Sequence, residues 1–369
     1  FCGWTGCKLM SSRRHQPRGP NNPLRVGFAT PSLGRGGAER WVLTLCKTFS
    51  KAITVPGIIT WDIEGALAPE ARSYARLFWP HESEEFFSLC DVVIAWGLYQ
   101  LPQVKGVESF QGKIIACSHG ASRQAFHRKT NADMASIPGC IMAAVSDAAA
   151  LSFPDGSGVT VIPNGVEVER CTPRVGRART RESLGIPEGV KVALFFGRLG
   201  AEKRPLLLAE AVLRSDEWWG VFCGFDCEGV GAKLPQDQRI IHLEPEDAPG
   251  DLLAAADCFV LPSLTEAHPL ALTEAWIAGV PTVYCDWGFA QQIRSSYGED
   301  LGQVIPVDAN PDQILEAMEQ AIYDSRIVKL ARHYAWQDFT STAMAARWEN
   351  FLGVNHNFRR VCKPTPTVG

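Results

Sequence analysis

The fold of this chain is decided by residues 261–283, which read Leu261-Pro-Ser-Leu-Thr-Glu-Ala-His-Pro-Leu-Ala-Leu-Thr-Glu-Ala-Trp-Ile-Ala-Gly-Val-Pro-Thr-Val283. The apolar run at 258–261 predicts a short buried strand that ends in a turn at Pro262. From Pro269 onward, apolar side chains recur at steps of three and four, which predicts a helix that stops at Gly279. A second strand is predicted at 280–284. The stretch is therefore a strand–loop–helix–strand unit of a parallel α/β sheet.

Two carboxylates flank the start of this helix, Glu266 in the loop and Glu274 inside the helix. The carboxyl end of the strand and the amino end of the helix meet there, and open α/β sheets bind ligands at that edge. The helix amino end favours phosphate. The carboxylates would then accept hydrogen bonds from hydroxyls of the same ligand, such as a sugar and a ribose joined by a diphosphate. By themselves the two residues fit a capped helix with one exposed Glu equally well.

With their neighbours, Glu266 and Glu274 resemble the E-x7-E motif of the group 1 (GT4-like) glycosyltransferases, in the pattern Pro-Ser-x-x-Glu…Glu-Ala-x-x-x-Gly-x-Pro-x-Val. The resemblance extends over about residues 24–352. It implies a GT-B fold, in which two Rossmann-like α/β domains face each other across a cleft and the last helix crosses back to the first domain. It also implies a hexosyltransferase-type enzyme, with the nucleotide-sugar donor bound mainly by the second domain and the acceptor mainly by the first.

Composition and charge narrow the class of protein. The 369 residues suffice for two domains. The formal net charge of −4 provides no strong field for nucleic acid or an anionic membrane. No apolar run has the length of a membrane span. The twelve cysteines are mostly single and lie in apolar patterns without zinc spacing, which predicts a reducing, cytoplasmic setting without structural metal.

The chain divides into four predicted parts. Residues 1–23 are basic and lack a long apolar core, which predicts a disordered leader and not a secretory signal. Peripheral contact of this arm with a membrane is the alternative to a solvated tail. Residues 24–166, together with the last helix at 337–355, form the predicted acceptor domain. Residues 167–336 form the predicted donor domain, and 356–369 form a polar tail.

Alternating apolar and amphipathic segments predict the strands and helices of both domains. In addition to the two strands above, strands are predicted at 24–30, 52–59, 91–96, 113–117, 141–145, 159–162, 190–196, 219–223 and 239–243. Helices are predicted at 38–49, 82–90, 205–213, 251–256, 311–325, 328–336 and 341–352.

The first strand leads into a glycine-rich loop, Pro31-Ser-Leu-Gly-Arg-Gly-Gly37. A strand, a glycine loop and a helix suggest an anion near the turn, while a tight turn without a ligand is the alternative. The run Gly-Gly-Ala-Glu-Arg resembles the start of the group 1 enzymes, which implies that Gly36 and Gly37 lie near the transferred sugar and the acceptor. His119 follows the strand at 113–117 on the same edge of the sheet. A lone His is more often structural, but the resemblance places a His here that reaches toward the donor sugar.

The loop after the strand at 190–196 carries Arg198 and Lys203. A guanidinium and an ammonium stabilise the charge that grows on a diphosphate leaving group, more strongly in a dry cleft than in water. The segment resembles the family's G-R-x-x-x-x-K-x loop, whose Arg and Lys hold the diphosphate; a solvated basic turn is the alternative. Glu202 and Arg204 are interpreted as ordinary flanking charges. The five arginines at 170–181 are interpreted as part of a solvated linker and the start of a helix, with binding of an acidic partner as the alternative.

The resemblance implies that Glu266 contacts sugar hydroxyls and that Glu274 contacts ribose hydroxyls. Because Pro269 has no N–H, Leu270 is the stronger backbone partner of the distal phosphate. His268 either lines the sugar pocket or points to solvent, and Trp287 is a candidate to reshape the donor pocket. The predicted catalytic residues are His119, Arg198, Lys203 and Glu266; the predicted donor-binding residues are Gly36, Gly37, Arg198, Lys203, Glu266, His268, Pro269, Leu270 and Glu274.

The sequence contains no Asp-x-Asp, the usual carboxylate pair for a divalent ion that bridges a diphosphate. We therefore predict metal-independent transfer without a cofactor beyond the nucleotide-sugar donor, and the resemblance implies retention of the anomeric configuration. The acceptor, whether glycan, lipid or small molecule, is not predicted. The alternatives are a nucleotide-sugar epimerase or hydrolase and a non-catalytic nucleotide-sugar-binding homologue. An NAD-dependent dehydrogenase is disfavoured because G-x-G-x-x-G is absent from the first loop.

Overall fold

The structure, a computed structural model, describes residues 22–98, 101–121, 125–154, 158–226, 228–246 and 248–354. The predicted tail lies outside the described residues, as does the predicted leader except for Asn22 and Pro23. The predicted membrane contact of the basic arm lies outside them too. Along the part of the chain that is described, no helix is long and apolar enough to cross a bilayer.

The first sheet is parallel and has eight described strands. They are β1 (Leu24–Thr30), β2 (Ile53–Thr54), β3 (Gly57–Thr60), β4 (Arg76–Phe78), β5 (Val92–Ala95), β6 (Lys113–Ser118), β7 (Ile141–Ala144) and β8 (Thr160–Val161). The order is β4-β3-β1-β5-β6-β7-β8, and β2 pairs with β1. The helices between them are α1 (Gly37–Thr48), α2 (Ala68–Ala71), α3 (Ser83–Ser88), α4 (Ala125–Ala135) and α5 (Asp147–Ala150).

The second sheet is also parallel, with six described strands in the order β11-β10-β9-β12-β13-β14. They are β9 (Lys191–Phe196), β10 (Trp218–Cys223), β11 (Ile240–Leu243), β12 (Cys258–Leu261), β13 (Thr282–Cys285) and β14 (Gln303–Ile305). The helices of this half are α6 (Arg177–Ser183), α7 (Pro205–Leu213), α8 (Gly250–Ala255), α9 (Leu270–Ala278), α10 (Gly288–Tyr297), α11 (Pro311–Ala321) and α12 (Ser325–Asp338).

Each sheet reverses its winding direction once, between β1 and β5 in the first and between β9 and β12 in the second. The connections that leave two neighbouring strands at such a point go to opposite faces of the sheet, which opens a crevice at the carboxyl ends of the strands. The glycine loop follows β1. The loops that carry Lys203 and Glu266 follow β9 and β12. Strand order therefore brings the predicted site residues to the crevices.

The stretch at 261–283 folds as predicted. All four residues of β12 are buried. The helix α9 ends at Gly279, which has a φ of 77° in the left-handed region that glycine adopts easily. Pro269 is the N-cap of α9 and not its first helical residue, because its ψ of 117° is extended.

The final helix, α13 (Ser341–Phe351), returns to the first domain and packs on α1. The rings of Trp41 and Trp348 lie 5.6 Å apart, and the Ser50 N–H donates to Glu349 Oε1 at 2.7 Å. The crossing of the last helix, which the resemblance implies, is therefore confirmed.

Two chain segments cross between the halves side by side. The Val166 N–H donates to the Phe339 carbonyl at 2.9 Å, and the Ser341 N–H donates to the Val166 carbonyl at 2.8 Å. A Cβ at Gly165 would lie 2.1 Å from the Thr340 carbonyl oxygen, so only glycine allows this close approach. The Pro163-Asn164-Gly165 turn thus lies where the segments touch.

Some elements differ from the prediction. The strand predicted at 52–59 is divided into β2 and β3, and Pro56, which cannot donate to a ladder, lies between them. The helix predicted at 311–325 ends at Ala321, and the Asp324 carboxylate then accepts from the Ile327 N–H at the start of α12. The elements β4, β14, α4 and α10 were not predicted. The short edge strands β4 and β14 and the weakly periodic α4 give little local signal, whereas α10 is amphipathic and its period was not recognised.

Candidate active site

A cleft of about 370 Å³ lies between the carboxyl ends of the two sheets. All ten predicted site residues line it: Gly36, Gly37, His119, Arg198, Lys203, Glu266, His268, Pro269, Leu270 and Glu274. The structure therefore brings the residues together, while the role of each one stays a prediction.

An ion pair joins the loops that leave β9 and β12. Lys203 Nζ donates to Glu266 Oε1 at 2.6 Å, and Ser263 Oγ donates to the same oxygen at 2.8 Å. The Glu266 side chain is only 9% exposed, so the cleft contains an ionised pair that is largely screened from water. Among the described residues, Glu266 Oε2 has no hydrogen-bond partner and is the oxygen left for a ligand hydroxyl.

Arg198 lies at the mouth of the cleft with its side chain 41% exposed. Its Nη2 pairs with Glu202 Oε1, and its Nη1 lies 3.5 Å from Glu228 Oε1. The interpretation of Glu202 as an ordinary flanking charge is wrong, because Glu202 binds the guanidinium that is predicted to hold the diphosphate. A bound diphosphate would compete with these two carboxylates for Arg198.

The amino end of α9 points into the cleft through Pro269, Leu270 and Ala271. No side chain caps this end. The first N–H groups of a helix have no acceptor within the helix, so Leu270 and Ala271 offer donors and a partial positive charge. This is a suitable environment for phosphate.

Glu274 is 3% exposed and is held by Arg170, from the segment that crosses between the halves. Arg170 Nε and Nη2 donate to Glu274 Oε1 at 3.3 and 3.1 Å. Burial raises the pKa of Glu274, and the charge of Arg170 opposes this shift. Both bonds go to Oε1, so Oε2, which has no bond within the described residues, is the oxygen that a ligand hydroxyl can reach.

His119 lies at the end of β6 among aromatic rings. Its ring lies 4.4 Å from that of Trp41 and 5.8 Å from that of Trp96, and its Nε2 is 3.6 Å from Cys117 Sγ. Burial lowers the pKa of His119 to about 3. At neutral pH the imidazole is therefore uncharged, and it can exchange a hydrogen bond with a sugar but adds no charge.

The glycine loop of the first domain approaches α9. A Cβ at Gly36 would lie 2.2 Å from Glu39 Oε2, so a side chain at this position would displace that carboxylate. A Cβ at Gly37 would lie 3.5 Å from Leu270 Cδ1, which places the loop in van der Waals range of the second domain. The two halves of the cleft thus touch at the amino end of α9.

His268 bridges the two halves and is 5% exposed, so it does not point to solvent. Its Nδ1 accepts from the Asn164 N–H at 3.2 Å. Its ring stacks on Phe289 with centroids 4.4 Å apart. Burial lowers the pKa of His268 to about 3, which keeps the ring neutral and able to accept that bond.

Comparison with known families adds a separate line of support. Residues 176–336 match the family model described as glycosyl transferases group 1. The second domain belongs to the group 1 glycosyltransferases. The predicted Arg198, Lys203, Glu266 and Glu274 all lie inside this matched segment.

Curated relatives match over part of the chain. A UDP-Gal:alpha-D-GlcNAc-diphosphoundecaprenol alpha-1,3-galactosyltransferase of Escherichia coli is 31% identical over 144 residues, which cover 36% of this chain and 37% of the relative. A D-inositol 3-phosphate glycosyltransferase of Kineococcus radiotolerans is 26% identical over 216 residues, 49% of each chain. The chain therefore spans between a third and a half of the length of these relatives.

Solved structures match over most of the chain. Alr3699/HepE of Anabaena, in complex with UDP and glucose, has a TM-score of 0.77 at 18% identity and covers 90% of this chain and 100% of its own. A sucrose-phosphate synthase of Thermosynechococcus elongatus has a TM-score of 0.69 at 16% identity, with coverages of 89% and 98%. The predicted GT-B fold is confirmed.

Arg35 and Arg170 are among the cleft residues that lie outside the predicted set. Arg35 Nη1 donates across the cleft to the Pro245 carbonyl at 3.0 Å. Arg35 lies in the glycine loop and Arg170 soon after the Pro-Asn-Gly turn, but neither has a local partner in the sequence. Their acceptors lie 210 and 104 residues further along the chain, so no local pattern identified them.

The predicted helix start is found in α6, which carries Arg177, Arg179 and Arg181, but the solvated linker is wrong for Arg170. Arg170 pairs with Glu274. Arg177 and Arg181 each donate to one oxygen of Asp257, both at 2.6 Å. These bonds attach residues 170–181 to the rest of the second domain.

Trp287 is 4% exposed and lies beneath the loop that carries Glu266. Its Nε1 donates to the Ser263 carbonyl at 2.7 Å. The ring thus supports the loop of this group 1 glycosyltransferase domain from below. Within the described ranges, no group of three or more His, Cys, Asp or Glu side chains is arranged to hold a metal ion.

Proposed function

We propose that this chain is a glycosyltransferase that moves a hexose from a nucleotide-diphosphate sugar to an acceptor. One observation carries the proposal: two cations, two carboxylates and an uncapped helix amino end line the same cleft. Cations and helix N–H groups suit the phosphates, and carboxylates suit the hydroxyls of the sugar and the ribose. The membership of the second domain in the group 1 family supports this assignment.

The diphosphate is the leaving group of the proposed reaction. As the glycosidic bond breaks, negative charge grows on the distal phosphate. Arg198, Lys203 and the Leu270 N–H stabilise that charge. Lys203, whose side chain is 20% exposed, acts more strongly per charge than Arg198, whose side chain is 41% exposed at the mouth of the cleft. Three protein groups of this kind support transfer without a metal ion or any cofactor besides the donor.

The carboxylates orient the donor. Glu266, fixed by Lys203 and Ser263, accepts from sugar hydroxyls through its Oε2. Glu274, fixed by Arg170, accepts from ribose hydroxyls through its Oε2. Since both carboxylates are engaged in this way, neither is a covalent nucleophile, and we propose that the acceptor enters on the face that the diphosphate leaves, with retention of the anomeric configuration.

The first domain supplies the acceptor side. Gly36 and Gly37 let the acceptor and the sugar approach the backbone, and neutral His119 exchanges a hydrogen bond with the transferred sugar. We propose a glycan, lipid or small hydroxyl compound as the acceptor. A reducing, cytoplasmic setting is proposed because the eight cysteines among the described residues are all unpaired thiols.

Uridine diphosphate sugars are the first donors to test. The relative from Escherichia coli is named for UDP-Gal, and Alr3699/HepE was solved with UDP and with UDP-glucose. A panel of nucleotide sugars, with and without candidate acceptors, is scored by the release of nucleotide diphosphate and by NMR of the product anomer. We expect acceptor-dependent release that persists in EDTA, and a retained anomer.

Other outcomes of the same panel would contradict parts of the proposal. Release of sugar into water from the donor alone would indicate a hydrolase, and an altered sugar on the nucleotide would indicate an epimerase. Binding of nucleotide diphosphate without turnover across the panel would indicate a binding protein. An inverted product, or activity that EDTA abolishes, would refute retention or metal independence.

A further inference from the structure

Arg204 follows Lys203 directly and has an unusual backbone. Its φ and ψ are 53° and 47°, in the left-handed region, where a residue with a Cβ is disfavoured. Along the described part of the chain, every other residue with positive φ is a glycine. Such an outlier persists only where the surrounding structure holds it, and outliers of this kind cluster at functional sites.

The side chain of Arg204 shows what holds it. Its Nε donates to the Pro262 carbonyl at 2.5 Å, and its Nη2 lies 3.3 Å from Cys285 Sγ. Arg204 follows β9, Pro262 follows β12 and Cys285 ends β13, and these three strands are neighbours in the sheet. One guanidinium therefore connects the carboxyl ends of three adjacent strands. The interpretation of Arg204 as an ordinary flanking charge is wrong.

The loop that begins at Pro262 is held on further sides. The Leu264 N–H donates to the Glu202 carbonyl at 2.8 Å, which joins this loop to the loop that carries Lys203. Trp287 supports the Ser263 carbonyl from below. Ser263 Oγ then donates to Glu266. The contacts of Arg204 thus lead through one short loop to the carboxylate that Lys203 binds.

We propose that Arg204 is a positioning residue, whose guanidinium fixes the 262–266 loop against the 197–204 loop and so sets the geometry between Lys203 and Glu266. This inference rests on the proposed function. Arg204 itself does not line the cleft, and a displacement of the loop would move Glu266 away from the sugar while the contacts of Glu274 remain. Glycine would adopt the backbone angles of Arg204 without strain but would lose the contacts.

Arg204→Gly therefore separates stability from activity. We expect a melting temperature close to that of the wild type, because the relief of the left-handed strain offsets the loss of the two side-chain contacts. We also expect faster hydrogen exchange of the Leu264 amide. Since small displacements of reacting groups are costly, kcat should fall about tenfold to a hundredfold, with little change in the KM for the donor.

Three further variants sharpen the experiment. Arg204→Lys keeps the strained backbone and restores one donor, so its kcat should lie between those of Arg204→Gly and the wild type. Arg214→Gly places the same substitution at the other end of α7, on a side chain that is 53% exposed, and should leave kcat unchanged. The double variant with Arg204→Gly and Lys203→Ala should have the same kcat as Lys203→Ala alone, because both substitutions act through the pair of Lys203 and Glu266.

Wild-type kcat in Arg204→Gly would overturn the inference. A lowered melting temperature without recovery of kcat in Arg204→Lys would also overturn it, since Arg204 would then be only structural. A wild-type protein that neither binds UDP nor turns over any donor would instead refute the proposed function. In that case the hydrogen exchange of the Leu264 amide would still test the role of Arg204. An equal exchange rate in the wild type and in Arg204→Gly would show that Arg204 does not hold the loop.

Discussion

The two sides of the cleft are built from different chemistry. On the second-domain side, charged groups hold one another: Lys203 binds Glu266 at 2.6 Å, and Arg170 binds Glu274 at 3.1 Å. On the first-domain side, β6 leads into His119, an uncharged ring whose centroid lies 4.4 Å from that of Trp41, and Arg35 and Arg40 line the cleft nearby. The second-domain side therefore carries cations and carboxylates that pair within the cleft, while the first-domain side combines a neutral ring with arginines.

The same difference separates the halves in sequence. The match to the group 1 family lies at 176–336, within the second half, whereas the first half resembles known proteins through its fold. A diphosphate and a ribose impose the same charges and hydroxyls on every protein that binds them. Acceptors differ in size and polarity. If the second half binds the donor, as we propose, its sequence is recognisable because its ligand is constant. Four experiments test this contrast.

The largest effect is expected at the charged side. Lys203→Ala removes a cation from the leaving group and leaves Glu266 without its partner, so transfer should fall by about 10²–10³-fold, or roughly 3–4 kcal/mol. Release of nucleotide diphosphate at saturating donor and acceptor measures this effect. Lys233→Ala, at an exposed lysine of the same domain, is the matched control. Wild-type transfer in Lys203→Ala would remove the contrast between the two sides.

The second experiment changes the ligand. UDP should bind the wild type about tenfold to a hundredfold more tightly than 2′,3′-dideoxy-UDP, because the two lost hydroxyls remove hydrogen bonds to the carboxyl group of Glu274, and each bond contributes about 0.5–1.5 kcal/mol. Isothermal titration calorimetry measures both affinities. Equal affinities would mean that the free oxygen of Glu274 does not face the ribose.

The third experiment concerns His268, which lies between the two sides. Its pKa is lowered from 6.5 to about 3, so the native ring stays neutral while the unfolded ring gains a proton as the pH falls through 6.5. Its contribution to stability is thus present above pH 6.5 and is lost toward pH 3. From pH 7.5 to 5.5, His268 should account for a loss of about 1.4 kcal/mol in the free energy of unfolding.

His268→Phe keeps the ring stacking on Phe289 and removes the titration. Urea unfolding at pH 7.5 and 5.5 should therefore show that the free energy of unfolding falls less in His268→Phe than in the wild type. This holds even if the two proteins differ in stability at pH 7.5. His81→Gln, at an exposed histidine, should keep the wild-type loss. An equal loss of stability in the wild type, His268→Phe and His81→Gln would show that protonation of His268 is not its cause.

The smallest effect is expected at His119. Because burial lowers its pKa to about 3, the ring does not change charge between pH 5.5 and 8. Any step in the pH profile of kcat near 6.5 should therefore be present in His119→Asn as well as in the wild type. Such a step in the wild type alone would mean that His119 gains a charge in this range, and the neutral ring would no longer distinguish the first-domain side.

All ten predicted residues line the cleft, but the residues that support them were not predicted. Glu266, Glu274, Arg198 and Lys203 could be singled out because each lies in a short pattern next to a strand. Arg170 was assigned to a linker, although it binds Glu274 from 104 residues away. The helix α4 was missed because it has no clear apolar period and depends on packing, whereas α10 is amphipathic and its period was not recognised.

Sequence alone determined the local units of this protein: the buried strand before Pro262, the helix that ends at Gly279, and the charged residues beside both. These depend on neighbours within a few residues, where hydrophobic period and backbone preference act directly. Only the tertiary structure decided that β9 lies beside β12, that His268 bridges the halves, and that Arg204 connects three strand ends. Those contacts join distant residues, and they exist because the order of strands and the docking of two sheets bring them together, which no local pattern specifies.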